Sequence, residues 1–486
     1  MLPFDSVRRA SLVLGVAGLF SCTFDIPDVV PRDGGALRDT SAVADAASDG
    51  TGPTDGTTDG TTDGPVGTVY NDMTLAANWK IFDTAGVTGG GSVQTYTGGT
   101  FDGRYVYLAP AAGAPASSVV LQLDTTAAKG FTDPSSWAHF DTMANVSSAA
   151  GGFCGAAYDG NQFVYLTPLT TAASATSAAD GFLTRYDSRS PYSMAGSWSG
   201  FNATGVNMGA QGFAGEAFDG QYIYFAPNFA GSSAASGLVA RFDTKAGFAG
   251  GSSAWAFFDA LNFDALAAGF IGAVFDGRYV TFVPSATTVA LQYDTHGSFI
   301  DNASWSSLNL ELIPKGSTQI AFAGGIYDGQ YVYLVPEFYY NGTSYIFGSL
   351  VARYDPKLGF GAGAWTTFDV STVSPYARGF AGGAFDGRYV YLVPEGNTGT
   401  PASTGQFMSD GFIVRYDTSQ PFGNAGSWST FDVKAAFGTT VAGFFGAVFD
   451  GRYLYLVPEG NTTVARFDAR TPAAMPALPA FHGSFF

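Results

Sequence analysis

The stretch GFFGAVFDGRYLYLVPEG, residues 443–460, is the last of seven versions of one motif, and this motif decides the fold. It joins a Gly/Ala-rich run ending in aromatic-Asp-Gly to an aromatic-apolar run that closes on proline. Asp-Gly between two apolar runs is a favoured two-residue hairpin turn, because both turn positions need positive φ. Val, Tyr, Phe and Ile dominate the flanking runs of the seven copies, and they suit a pleated sheet. The motif therefore predicts a β-hairpin, whose strands we name A and B.

Each copy of the hairpin is followed by two more strand-sized segments. The first is an R-[YF]-D segment, such as VARYD at 351–355, which we name strand C. The second, strand D, holds the tryptophans in the frame W-x-x-F-D or close to it, roughly 60 residues apart. The prolines that close strand B are Pro110, Pro168, Pro227, Pro284, Pro336, Pro394 and Pro458. The tryptophans are Trp79, Trp137, Trp198, Trp255, Trp305, Trp365 and Trp428.

A repeat of this length is typical of architectures whose units cannot bury their faces alone. Strand B, as in RYVYLVP at 388–394, is apolar on both faces, so its sheet must be covered on both sides. Blades stacked face to face around an axis meet that requirement. Strand A is crowded with glycine and alanine and belongs at the centre, whereas the bulky tryptophan strand belongs at the rim. The sequence predicts an all-β, seven-bladed β-propeller of four-stranded antiparallel blades over residues 67–486.

The ends of the repeat array predict how the ring closes. The repeats begin with a lone D strand around Trp79 and end with a C strand at 466–468. We expect six contiguous blades and a seventh that combines residues 443–468 with the N-terminal strand near Trp79.

The order of the segments resembles the kelch repeat, in which a Tyr-Asp pair precedes a tryptophan. RYDTSQPFGNAGSWSTFD at 415–432 shows the resemblance best, and it extends over residues 67–486. It implies a propeller, although the kelch strand that ends in Gly-Gly here ends in Val-Pro or Ala-Pro. The stretch at 443–460 is also similar to the FG-GAP repeat of integrin-type propellers. The calcium loops of that family are missing, so the similarity implies no metal site.

The first 66 residues differ from the repeats. Two arginines precede the apolar run ASLVLGVAGLF, which is too short to span ~30 Å of hydrocarbon, so residues 1–21 are predicted to be a signal peptide. Leu19-Phe20-Ser21-Cys22 resembles a bacterial lipobox, which implies lipidation of Cys22. Residues 22–66, rich in Asp, Thr and Gly, are predicted to be a disordered tether. We expect a protein exported and lipid-anchored to the cell envelope, at the outer membrane or surface of a Gram-negative bacterium. The alternative is an ordinary cleaved signal with an incidental cysteine.

Composition limits the classes of partner. The formal net charge is −18, of which −12 falls after residue 66, and no basic cluster interrupts it. Such a chain is a poor nucleic-acid binder. With Cys22 lipidated only Cys154 remains, so we expect no intramolecular disulfide and a small buried side chain at Cys154. A monomer is expected, with a glycan or a surface protein as the partner.

The motifs give little support to catalysis. The three histidines lie far apart in the repeat frame, and no H-x-x-H, G-x-S-x-G or P-loop pattern appears. We interpret the seven FDG aspartates as shaping their turns through side-chain-to-backbone hydrogen bonds. The aspartates after R-Y are expected to cap loops or to pair with the arginine of their own repeat, as Arg353 with Asp355. We interpret the tryptophans as packing residues, with sugar-stacking platforms as the alternative.

One loop absorbs nearly all the length variation. From the strand B proline to the strand C aspartate the spacing is 14, 19, 16, 10, 19, 23 and 10 residues, whereas from that aspartate to the next tryptophan it stays at 10 to 13. Variable loops on a rigid scaffold tend to carry function. B–C and D–A loops emerge on the same face of a propeller, so we predict that this face binds the ligand. Its non-repeated candidate residues, with the one acid inside an A strand, are Glu216, Glu337, Tyr339, Tyr340, Glu395 and Glu459.

Two function classes remain open. The first is a membrane-tethered binding module that recognises a glycan or protein partner, because tyrosines such as Tyr339 and Tyr340 stack on sugars and anchor protein interfaces alike. The alternative is a carbohydrate-active enzyme, a glycosidase or lyase with a pair of carboxylates. Glu216 alone falls short of such a pair, so the sequence favours binding. No cofactor and no metal site is expected.

Overall fold

The computed structural model describes residues 67–88, 95–112, 117–170, 178–231, 234–248, 251–313, 320–340, 345–397 and 408–478. Within these ranges the chain forms seven small antiparallel sheets arranged as a seven-bladed β-propeller, so the predicted fold class is confirmed. The predicted signal peptide 1–21 and tether 22–66, including Cys22, lie outside the described residues.

Each blade runs A, B, C, D from the axis to the rim, because consecutive strands pair in that order and neighbouring blades touch through their A strands. The strands in that order are Tyr96–Phe101, Tyr105–Pro110, Val119–Asp124 and Trp137–Asp141 in blade 1; Phe153–Tyr158, Phe163–Pro168, Phe182–Asp187 and Trp198–Asn202 in blade 2; Phe213–Phe218, Tyr222–Pro227, Leu238–Asp243 and Trp255–Asp259 in blade 3; Phe270–Phe275, Tyr279–Pro284, Val289–Asp294 and Trp305–Asn309 in blade 4; Ile320–Tyr327, Val332–Tyr340, Leu350–Tyr354 and Trp365–Asp369 in blade 5; Phe380–Phe385, Tyr389–Pro394, Phe412–Asp417 and Trp428–Asp432 in blade 6; and Phe444–Phe449, Tyr453–Pro458, Thr463–Asp468 and Trp79–Asp83 in blade 7. Short α-helices follow three D strands, at Thr142–Asn145, Ala260–Phe263 and Val433–Phe437.

The ring closes as predicted. Trp79–Asp83 pairs along its length with Thr463–Asp468, so the N-terminal strand is strand D of blade 7. The two ends of the array also form a second strand pair, between Val69–Tyr70 and Arg470–Thr471. The two ends of the repeat array therefore hold each other through backbone hydrogen bonds.

The glycines of the A motif are explained by backbone geometry. In blade 3, Gly212 has φ +68, and a Cβ there would lie 2.0 Å from the carbonyl oxygen of Phe229. Gly220, in the A–B turn, has φ +101. Both positions lie in the left-handed region that side chains with a Cβ rarely adopt. The repeated glycines thus mark fixed backbone positions.

The A–B turn is displaced by one residue from the prediction. In blade 6 the Asp386 N–H donates to the Tyr389 carbonyl at 3.1 Å, so the two central residues are Gly387 and Arg388. Asp386 Oδ1 accepts hydrogen bonds from the N–H groups of Arg388 and Tyr389, and Oδ2 accepts one from the Tyr391 hydroxyl at 2.7 Å. The expected side-chain-to-backbone bonding is confirmed, with positive φ at Gly387 (+101) and with the aspartate at the edge of the turn instead of at its centre.

The tryptophans are packing residues, each at most 7% exposed. The phenylalanine of the W-x-x-F frame stacks on the tryptophan of the next blade in most blades. Ring centroids are 4.5 Å apart for Phe140–Trp198 and 4.0 Å apart for Phe258–Trp305. The W-x-x-F frame therefore joins one blade to the next at the rim.

The predicted pairing of Arg353 with Asp355 is wrong. The rings of Tyr331 and, in the next blade, Phe422 enclose the Arg353 guanidinium at 4.2 and 4.3 Å, which holds it away from the aspartate. Asp355 accepts a hydrogen bond from the Lys357 N–H and caps a short 3-10 helix. In four other blades the strand C aspartate pairs with the arginine of the A–B turn at 2.6–2.7 Å: Arg104–Asp124, Arg278–Asp294, Arg388–Asp417 and Arg452–Asp468.

Candidate functional site

The two faces of the ring are built from different connections. B–C and D–A loops emerge on one face, which we name the loop face. A–B turns and C–D loops emerge on the other, the turn face. The sequence analysis placed the ligand on the loop face.

A belt of backbone hydrogen bonds lies beneath the loop face, and in blades 1, 2, 3, 5 and 6 it links the end of strand B to the start of strand C and to the start of the next strand A. In blades 5 to 7 it runs through Glu337, Gly348, Gly379, Glu395, Asp410, Gly443 and Glu459, with N···O distances of 2.6–3.2 Å. In blades 1 to 4 it runs through Ala111, Ser117, Gly152, Leu169, Asp180, Gly212, Asn228, Ser236, Gly269 and Ser285, at 2.8–3.1 Å. The B–C loops of unequal length therefore leave from a fixed base.

Three of the longer B–C loops leave the belt as two-stranded hairpins. In blade 3, Phe229–Ala230 pairs with Ala234–Ala235, and in blade 6, Gly396–Asn397 pairs with Met408–Ser409. In blade 5, strand B continues past its proline to pair with Tyr345–Phe347. The loops are thus held in place at their bases.

Tyr339 stands on the most regular of these extensions. Its backbone pairs with Ile320 on one side and with Ile346 on the other. The side chain of Tyr339 is half-buried, and that of its neighbour Tyr340 lies outside the described residues. A three-stranded base positions a side chain more firmly than an irregular loop would.

The three glutamates of the loop face occupy one repeat position, directly after the strand B proline. Their side chains are buried, at 0% exposure for Glu337 and Glu395 and 7% for Glu459. In blade 3 this position is Asn228, whose Nδ2 donates to the Phe270 carbonyl of the next blade at 2.8 Å. The glutamates therefore lie within the belt, with their side chains buried.

Glu216 lies apart from these glutamates, at the contact between blades 2 and 3. Its carboxylate accepts a hydrogen bond from the Thr167 hydroxyl of blade 2, and the side chain is 4% exposed. Burial raises the pKa of Glu216 to about 8, against the opposing effect of that hydrogen bond. Other blades have glycine or alanine where Glu216 stands, and alanine or valine where Thr167 stands. Glu216 and Thr167 are therefore polar where the equivalent positions of the other blades are small or apolar.

Two further acids of the loop face were missed by the sequence analysis. Asp180 and Asp410 each precede the glycine before strand C, and burial raises the pKa of Asp180 to about 6 and that of Asp410 to about 7. Asp410 accepts hydrogen bonds from Asn397 Nδ2 at 2.6 Å and from the Gly411 N–H at 2.8 Å. The signal that could have found them is Asp-Gly before strand C, which occurs only in blades 2 and 6.

Blade 6 thus brings polar groups together beneath the longest loop. The Asp410 N–H donates to the Glu395 carbonyl at 3.2 Å, and Asn397 bonds the Asp410 side chain. Nowhere in the described ranges do three His, Cys, Asp or Glu side chains form a group that could hold a metal ion.

Segments near both ends of the described chain contact the turn face. Tyr70 lies edge-on to Tyr389 with ring centroids 5.6 Å apart, and Arg470 Nη1 donates to the carbonyl of Asp386 in the blade 6 turn at 2.9 Å. Farther along, the Ala474 N–H donates to the Gly451 carbonyl in the blade 7 turn. Residues 67–70 and 470–474 therefore lie against the A–B turns, on the side opposite the variable loops.

None of the helices in the described part of the chain is long and apolar enough to cross a membrane.

No protein-family model matches the chain, and no curated protein matches it, so the kelch-like resemblance stays a prediction. Similar solved structures include a streptogramin B lyase, at 12% identity and a TM-score of 0.49 over 80% of this chain and 97% of that one. Another is virginiamycin B lyase from Staphylococcus aureus, at 12% identity and 0.49 over 80% and 98%. PorZ, a surface component of the type-IX secretion system of Porphyromonas gingivalis, matches at 12% identity and 0.44 over 83% of this chain and 40% of its own.

Proposed function

We propose that the protein is a lipid-tethered binding module of the cell surface that recognises a glycan or a protein partner through its loop face. One observation carries the proposal. The chain joins the ring on the turn face, at Val69–Tyr70, whereas the loops of unequal length lie on the opposite face. A tether that precedes residue 67 would therefore leave the loop face pointing away from the membrane.

The loop face also has structural features that suit a recognition surface. Its loops differ between blades, while the belt beneath them is the same in all the blades it links. Fixed bases limit the conformational entropy that a loop loses on binding, so more of the contact energy contributes to affinity. Tyr339, half-buried on a three-stranded base, supplies an aromatic surface of the kind that anchors partners.

A carbohydrate-active enzyme is the second candidate, and Asp410 is the observation that favours it. A carboxyl whose pKa is raised to about 7 by burial can donate a proton near neutral pH. If this class is correct, Asp410→Asn abolishes cleavage of the bound glycan. A binding module retains its full affinity for that glycan and releases no product with or without the change.

The test of the binding face is a double substitution, Tyr339→Ala with Tyr340→Ala, assayed against the glycan or surface protein that an array or a pull-down identifies. We expect at least a tenfold loss of affinity with an unchanged melting temperature. The control is Tyr279→Ala, a half-buried tyrosine on the turn face. Equal affinity for the double variant and the native protein would place the site elsewhere.

The tether has its own test. Cys22→Ser is expected to move the protein from the membrane fraction to the soluble fraction and to abolish incorporation of labelled palmitate. Unchanged membrane fractionation of Cys22→Ser, together with no palmitate label on the native protein, would overturn the lipid anchor and leave the loop-face proposal to its own measurement.

A further inference from the structure

A cavity of about 580 Å³ opens on the turn face between blades 5 and 6, away from the loop face. Its wall includes one cation, aromatic rings, hydroxyls and amides, from Gln330, Tyr331, Arg353, Thr366, Gln420 and Phe422. A volume of this size lies within the range of small-ligand sites. The cavity is large enough for one or two sugar rings.

Arg353 is the fixed charge of this cavity. The Arg353 guanidinium carbon lies 4.2 Å from the ring centroid of Tyr331 and 4.3 Å from that of Phe422. The N–H edge makes the polar contacts, one of which is with the Tyr416 side chain. On that edge, Nε donates to Thr366 Oγ1 at 3.2 Å. A guanidinium remains charged at all ordinary pH values, and its planar fork matches a carboxylate. The aromatic rings have therefore positioned a carboxylate-binding group in advance.

Asp328 of the same blade shares two electrostatic neighbours with Arg353, the hydroxyls of Tyr333 and Tyr416, but it does not line the cavity. No acidic side chain lines the cavity, and no ion pair within 4.0 Å involves Arg353 in the described part of the chain. The A–B turn of blade 5 carries Gln330 where four other blades carry arginine. The wall of the cavity therefore carries one positive charge and no carboxylate.

The seam between blades 7 and 1 offers an internal comparison at the same repeat positions. Arg466 lies there between Tyr453 and Phe131, and Lys80 takes the place of Thr366. That cavity is smaller, about 260 Å³, and Asp124 lines it. The blade 5–6 cavity is thus the larger of the two and the one without a carboxylate in its wall.

We propose that the blade 5–6 cavity is a second binding site, which takes a carboxylate-bearing sugar such as a uronic acid residue of an acidic polysaccharide. The Arg353 fork pairs with the sugar carboxylate, as arginine does in bidentate recognition. Gln330, Gln420 and Thr366 supply donors and acceptors for the sugar hydroxyls. The site is independent of the loop face and of the tether.

The test uses tri-galacturonate as the probe and neutral tri-galactose as its comparison, measured by titration calorimetry on the full-length protein at low salt. We expect tri-galacturonate to bind at least tenfold more tightly than tri-galactose. Thr366→Glu places a carboxylate beside Arg353 and is expected to abolish the difference. Thr366→Lys copies the residue of blade 7 and is expected to tighten binding severalfold.

Matched variants separate binding from folding. Ser429→Glu makes the same change at the equivalent position of blade 6, and Arg241→Met removes an equivalent arginine, enclosed by Tyr222 and Phe299. Both are expected to bind tri-galacturonate normally. Arg353→Met is expected to lose it while melting like Arg241→Met. Equal affinity for the two trisaccharides, or tri-galacturonate binding that Thr366→Glu leaves unchanged, would overturn the proposal.

Discussion

The turn face and the loop face of this ring differ in how much their connections vary from blade to blade. On the turn face the connections vary little in length, the FDG aspartate holds each turn, and arginines stack between aromatic rings. On the loop face the belt repeats from blade to blade, but the spacing from the strand B proline to the strand C aspartate ranges from 10 to 23 residues. A residue that recurs in every blade stabilises the ring, whereas a residue that departs from the repeat is a candidate for function.

The deletion with the largest expected effect removes the closing strand. Deleting residues 67–90 removes the pairing of Trp79–Asp83 with Thr463–Asp468 and exposes an unpaired strand edge. We expect loss on the order of the whole stability of a domain, ~5–15 kcal/mol, or aggregation. Thermal unfolding and size-exclusion chromatography measure it. Removal of residues 1–66 alone is the control and is expected to leave the melting temperature unchanged.

A pH-dependent prediction concerns Glu216, the exception at the blade 2–3 contact. Its folded pKa is about 8 and its ordinary value 4.5, so the folded state binds the proton more tightly than the unfolded state. The stability it contributes is complete below pH 4.5 and is lost as pH rises to about 8. Glu216→Gln stays neutral, so its advantage over the native protein should grow by at most about 1.4 kcal/mol per pH unit in that window. Denaturant unfolding at pH 5 and pH 8.5 measures this difference in the free energy of unfolding. If the free energies of Glu216→Gln and the native protein changed equally with pH, Glu216 would not be buried as a neutral acid.

A third prediction compares two turns of the same design. Asp386→Ala leaves the buried Tyr391 hydroxyl and two N–H groups without their acceptor, and we expect a loss of about 3 kcal/mol in the free energy of unfolding. Asp102 makes the same three kinds of bond in blade 1 but is partly exposed, so water replaces part of the loss in Asp102→Ala. Urea unfolding should rank Asp386→Ala below Asp102→Ala. Equal losses would show that burial does not set the cost.

The sequence predicted the ring because its signals are local and repeated sevenfold. Gly/Ala crowding placed strand A at the axis, and the lone tryptophan strand at Trp79 predicted the closure that its pairing with strand C shows. The prediction that was wrong concerns a side chain whose contacts lie in the next blade. Arg353 stacks on Phe422 of the next blade instead of pairing with Asp355, two residues away, and no spacing within one repeat reveals that partner.

The burial of the candidate residues could not be predicted from the sequence, for a related reason. Alternation along a strand indicates which residues are apolar, but it does not show what lies beneath a loop. Glu337 and Glu395 follow the strand B proline, where the chain turns into the belt, and the structure buries both. Asp410 went unnoticed because an Asp-Gly before strand C looks like an ordinary turn. Its raised pKa arises from burial by elements distant in sequence.

The smallest expected effect tests the contrast between the two faces directly. In blade 6, Gly396–Asn397 pairs with Met408–Ser409, so replacing residues 398–407 with an Asn-Gly turn should close that hairpin without disturbing the belt. Loop closure entropy varies slowly with length, so we expect the free energy of unfolding to change by no more than about 1 kcal/mol. Inserting two glycines between Gly387 and Arg388 on the turn face changes the length of a connection too, but it pulls the Arg388 and Tyr389 N–H groups away from Asp386. That variant should lose about as much as Asp386→Ala, about 3 kcal/mol. If the shortened loop and the lengthened turn lower the free energy of unfolding equally, the fold constrains the loop face as tightly as the turn face. The variable loops would then no longer be favoured as the place where the ligand binds.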